Sequence, residues 1–168
     1  MNLRHLAALA LLVTPASATA QHSCSLHDSA RVRKDLASEY ATFRDAFMKN
    51  APQAWIDALD SSFTLTLFNG SVMSRAWVEN YVRTNATQFH IDVLQMAVQT
   101  IMTQADTAVA TVLQTSDRRF TDETGAPHRL EVGARQLETW VCTSTGWRLW
   151  RVKEDSVLYL RRDGKPPS

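Results

Sequence analysis

From residue 89 to residue 159 the chain runs as four long segments rich in β-branched and aromatic residues, about 89–103, 107–118, 128–143 and 147–159. Only short turn signals separate them: Gln104-Ala105-Asp106, Thr121-Asp122-Glu123-Thr124-Gly125 and Ser144-Thr145-Gly146. Connections of this length join consecutive strands as antiparallel neighbours. Nearly half of the chain is thereby committed to one antiparallel sheet, and the remainder must supply what covers it.

The covering elements precede the sheet. Leu36, Tyr40, Phe43 and Phe47 recur at spacings of four, three and four, which puts them on one face of a helix over residues 28–49, away from Arg33, Lys34, Asp35, Arg44 and Asp45. Asp28 or Ser29 can cap its start, and Asn50-Ala51-Pro52 ends it. A second short helix is expected over 52–59, carrying Trp55, then a strand over 63–68 closed by Asn69-Gly70, and a third helix over 74–82 capped by Ser74. Helices first and antiparallel strands afterwards define an α+β domain with three N-terminal helices on one face of a curved sheet. The last residues, 161–168, read as a frayed tail.

The front of the chain has a different character. Met1-Asn2-Leu3-Arg4-His5, an apolar run from Leu6 to Val13 and the small-residue stretch Thr14 to Ala20 read as a secretory signal peptide cleaved near Ala20. The apolar run is far shorter than the roughly 20 residues of a membrane span. A secreted or periplasmic location is expected. Residues 21–29 would form an N-terminal segment and 30–160 one domain, a normal size for a single core. A formal net charge of +1, with Lys and Arg scattered, leaves no electrostatic footprint for nucleic acid.

Cys24 and Cys142 are the cysteines of the chain. In an oxidising compartment they could form a bridge worth about 4–5 kcal/mol on the chain-entropy model, or remain two independent thiols. His22, Cys24, His27 and Asp28 crowd together without a defensible metal-ligand spacing, so no metal site is assigned. Nucleophile-elbow, phosphate-loop, zincin and dinucleotide fingerprints are missing from the sequence, and no cofactor is expected.

The order of elements, with Ala58-Leu59-Asp60-Ser61-Ser62-Phe63 entering a strand before Asn69-Gly70, then Ala105-Asp106-Thr107-Ala108-Val109, Glu138-Thr139-Trp140-Val141 and Gly146-Trp147-Arg148-Leu149, resembles the nuclear-transport-factor-2-like superfamily, nearest its SnoaL-like and ketosteroid-isomerase-like branches. The resemblance spans about residues 30–160. It implies a cone-shaped fold with an apolar interior that takes a small hydrophobic molecule, and homodimerisation through the open sheet face. Fold alone does not assign a function.

Ketosteroid isomerases place a carboxylate base at the end of the first strand and an oxyanion hole built from a helical tyrosine and a protonated acid. The resemblance puts Leu67 at the position of the base, so the base is missing. It puts Glu138 at the position of the acid, with Trp140 and Cys142 on the same strand face, and Tyr40, or Phe43 in an ungapped match, at the position of the tyrosine. An acid beside Trp140 in a dry pocket would have a raised pKa; the competing reading pairs Glu138 with Arg135 or Arg148 at the surface. His90 and Asp92 share a strand face and form a second candidate pair for proton transfer, of the kind the related dehydratases and cyclases use, and His128 follows a turn. Tyr40, Phe43, Leu67, Trp77, Tyr81 and Trp140 are the candidate ligand contacts. Three functions stay open: an exported small-molecule-binding domain, a cyclase, dehydratase or isomerase using Glu138 with Tyr40 or with His90 and Asp92, and a dimerising interaction module.

Overall fold

A computed structural model describes Cys24 and residues 28–166. The expected signal peptide, and His22 and His27 of the cluster after it, lie outside the described residues. Helix α1 (Ser29–Met48) begins where the Asp28 carboxylate accepts the N–H groups of Ala30 and Arg31 at 3.0 and 3.2 Å, satisfying two donors that a helix start leaves open. Its buried stripe is Val32, Leu36, Tyr40, Phe43 and Ala46, the expected face extended by a turn toward the N-terminus. Phe47 sits at its margin, half-buried.

Helix α2 (Gln53–Asp57) is a single five-residue turn, shorter than expected. Strand β1 (Leu59–Thr66) therefore starts earlier than its alternating Thr pattern suggested. A three-residue strand, β2 (Val72–Ser74), follows the Asn69-Gly70 turn and was not anticipated, because three residues are too few to show a period. Helix α3 (Arg75–Gln88) is capped by Ser74, whose hydroxyl accepts the Trp77 N–H, and it continues past Val82 through the polar stretch Arg83-Thr84-Asn85-Ala86-Thr87-Gln88. Strands β3 (Phe89–Gln104), β4 (Thr107–Thr121), β5 (Pro127–Thr143) and β6 (Gly146–Arg162) form the expected meander.

The six strands lie in the order β2-β1-β6-β5-β4-β3. All neighbours are antiparallel except β1 and β6, which pair in parallel, so the sheet is mixed and not purely antiparallel. The topology gives the reason: β2 and β3 are opposite edges, so α3 carries the chain across the sheet, and the meander returns to bring β6 beside β1. Among the described residues only α1 and α3 are substantial helices. Among the described residues no helix is long and apolar enough to cross a membrane.

The core lies between the helices and one sheet face. Ala108 pairs with Trp140 and Ala110 with Glu138, so small side chains on β4 stand beside large ones on β5 and leave room for Tyr40 and Phe43. Cys24 and Cys142 form a disulfide, with Cα atoms 5.8 Å apart, tying the segment ahead of α1 to β5. Residues 161–166 of the expected tail pair with the body of the fold. Strand β6 continues to Arg162, Lys165 pairs back to Arg162, and the Asp163 carboxylate accepts the Arg129 N–H at 2.8 Å.

Candidate functional site

Glu138 occupies the middle of the sheet, paired with Ala110 on one side and Val152 on the other. It points to the helix-covered face, like Trp140 two residues on, because strand side chains alternate. Tyr40 descends from α1 and donates its hydroxyl proton to Glu138 Oε2 at 2.8 Å, while the Trp140 indole N–H donates to the Tyr40 oxygen at 3.1 Å. Glu138 is 2% exposed and Tyr40 4%. Behind them Phe43 stacks on Trp140 with ring centroids 5.7 Å apart, and Tyr40 meets Trp140 edge-on. Neither Arg135 nor Arg148 pairs with Glu138: Arg135 holds Asp155 at 2.6 Å, and Arg148 donates to the Asp57 carbonyl.

Burial in this setting pushes the Glu138 carboxyl up from 4.5 to about 7, against the opposing effect of the Tyr40 and Trp140 donors. The Tyr40 hydroxyl is pushed up by its own burial and then by the neighbouring carboxylate. Tyr40 has a single proton and gives it to Oε2. A proton held by Glu138 therefore sits on Oε1, the other oxygen.

Glu138 forms part of the lining of a cavity of about 200 Å³ between the sheet and α3. Phe63 and Leu65 of β1 and Leu94 and Met96 of β3 supply sheet-side walls; Val78, Tyr81 and Val82 close the α3 side. Its polar groups besides Glu138 include Gln114, Arg118, Gln136 and Glu154. Apolar walls with a few placed polar groups are the usual composition of a small-molecule site. An apolar cavity of roughly 150 Å³ takes a single benzene ring.

The predicted residues divide accordingly. Glu138 and Tyr81 line the cavity, whereas Tyr40, Phe43 and Trp140 form the packed layer that holds Glu138 in place. Leu67 does not line it; its N–H closes the turn onto Ser71. Trp77 lies outside, 44% exposed and stacked on Tyr81 at 5.0 Å, because the first turn of α3 presents it to solvent. His90 and Asp92 are 3.4 Å apart as expected of a pair, but Asp92 is gripped through both oxygens by Arg119 at 2.6 Å, at a bulge of the edge strand β3 and away from Glu138. That hydrogen bonding holds Asp92 below its usual range. His128 bridges Asp122 and Asp163 at the turn end of β5.

Arg118 was missed. The signal for it was strand parity: Ala108, Ala110, Val112, Gln114, Ser116 and Arg118 share one face of β4, and the first three are fully buried. Arg118 therefore projects to the covered face although it neighbours the exposed Arg119 in the sequence.

No protein-family model matches the chain, and no curated protein matches it. Solved structures do. An NTF2-like protein from Cytophaga hutchinsonii superposes with a TM-score of 0.59 at 13% identity, over 77% of this chain and 98% of that one. A conserved protein from Planctomyces limnophilus gives 0.63 at 12% identity, over 76% and 96%. An NTF2-like protein of unknown function in nutrient uptake from Rhodospirillum rubrum gives 0.57 at 17% identity, over 74% and 99%. The chain has the nuclear-transport-factor-2-like fold.

Proposed function

We propose that the chain is a binding domain for a small, largely apolar molecule, held between the sheet and α3 in the cone-like interior the resemblance implies, with Glu138 as the polar anchor. One observation carries this reading: a carboxyl group 2% exposed, paired with no cation among the described residues, lies against a largely apolar cavity of about 200 Å³. A protonated Glu138 can donate from Oε1 to a ligand oxygen without disturbing the Tyr40 contact. The Cys24–Cys142 bridge supports export behind a signal peptide, since such bridges persist in oxidising compartments.

The test is an isosteric pair. At pH 6, acetophenone should bind more tightly than ethylbenzene by about fivefold, the worth of a net hydrogen bond of about 1 kcal/mol. Glu138→Leu should erase the difference, and amide-shift mapping should cluster at Phe63, Leu149 and Val152. Shifts scattered over the surface, or none, would sink the reading.

A second reading is favoured by the position of the Glu138 pKa. A carboxyl at about 7 is matched to general acid or base work at neutral pH, as in an isomerase, dehydratase or cyclase. On this reading Glu138 moves the proton and Tyr40 positions it. Unchanged turnover of a discovered substrate by Glu138→Gln would remove it.

A further inference from the structure

Among the described residues, Arg118 is a cation without an anion. Its Nε donates to Ser116 Oγ at 3.0 Å, a neutral partner that is itself 5% exposed. Among the described residues no carboxylate lies within ion-pair distance of its guanidinium, and burial holds its pKa below the usual range. The contrast with the next residue is informative. Arg119, on the opposite face and more exposed, is forked onto Asp92, although an exposed guanidinium needs a partner less. A half-buried guanidinium facing an apolar cavity with no carboxylate beside it is costly unless something else supplies the negative charge.

Arg118 lines the same cavity as Glu138. It pairs across the strands with Ile91, and Phe89, Ile91 and Leu94 line the cavity on that side. Ala110, the strand partner of Glu138, lies eight positions away from Arg118 along β4, so the two polar groups serve separate parts of the cavity. Glu154, the other acid of the lining, accepts the Phe68 N–H at 3.1 Å and does not reach Arg118.

We propose that Arg118 is the anion-recognition group of this cavity, and that the ligand is a small amphipathic monocarboxylate whose apolar body lies against Phe89, Ile91 and Leu94 while its carboxylate meets the free guanidinium edge. The inference rests on reading the cavity as a binding site and names the class of molecule it takes. The planar fork of arginine matches a carboxylate through two parallel hydrogen bonds, which a neutral isostere cannot reproduce.

Calorimetric titration of the full mature protein at pH 7 with 4-phenylbutyrate and with its amide tests this directly. The acid should bind at least tenfold more tightly than the amide. Arg118→Met should abolish that preference, leave amide affinity within about twofold and raise the melting temperature, since it removes an unpaired cation and keeps the aliphatic stem. A structural arginine would instead lower it. Equal affinities in the unmodified protein would overturn the role of Arg118 and leave the cavity standing as a neutral site. Binding of neither compound would overturn the cavity reading as well. An acid preference that survives Arg118→Met would assign the anion site elsewhere and also overturn the proposal; where that variant fails to fold, Arg118→Lys, which keeps the charge and loses the planar fork, should cut the preference severalfold, and an undiminished preference would overturn the proposal equally.

Discussion

Glu138 holds its proton to a higher pH in the folded chain than in the unfolded one, because burial disfavours the charged form more than the Tyr40 and Trp140 donors support it. The folded state therefore binds more protons than the unfolded state between pH 4.5 and about 7, and stability falls as pH rises through that window. The displacement corresponds to about 3 kcal/mol. Glu138→Gln, which cannot ionise, should escape this loss. Urea unfolding of both proteins at pH 4.5 and pH 8 should show the unmodified protein losing about 3 kcal/mol more than the variant over that interval; parallel losses would place the ionisation elsewhere. Two-residue alternation made the shared face of Glu138 and Trp140 legible in the sequence. The hydrogen bond that Glu138 receives from Tyr40 spans 98 positions and was available only by resemblance.

At the scale of the elements, α1 sets the height at which Tyr40 meets the sheet. Its N-terminus depends on one side chain, the Asp28 carboxylate over Ala30 and Arg31. Asp28→Ala should cost about 1 kcal/mol, read as a lower denaturant midpoint with an unchanged slope, because the replacement leaves helix-start donors without their acceptor. An unchanged midpoint would mean water substitutes fully for the cap. The apolar spacing of Leu36, Tyr40 and Phe43 announced this helix. The end of α3 could not be read in the same way, since Arg83 to Gln88 carries no apolar stripe and is helical only because the chain must cross the sheet to reach β3. Strand β4 was legible as a strand, and its parity already implied an inward Arg118. What the strand pattern left out was whether anything inside would answer that charge.

For the molecule as a whole, the disulfide is the longest covalent constraint, closing 118 positions between Cys24 and Cys142. Its reduction should lower unfolding free energy by up to about 5 kcal/mol on the chain-entropy model. Denaturation with and without dithiothreitol, against a Cys24→Ser/Cys142→Ser variant, measures this; coincident curves would show that the closed loop contributes nothing. The parallel contact of β1 with β6 joins segments far apart in the chain and completes the sheet beside the cavity. By itself the sequence determined the helix and strand periods, the antiparallel meander, the helix face that carries Tyr40 and the strand face that Glu138 and Trp140 share, since each depends on residues a few positions apart; which way that strand face points was left to the fold. The tertiary structure alone decided that Tyr40 and Trp140 would pack behind Glu138, that Trp77 would face solvent, that β1 would run parallel to β6, and that Arg118 would be half-buried with no carboxylate beside it among the described residues. Which groups lose water, and what they meet when they do, depends on elements brought together from distant parts of the chain.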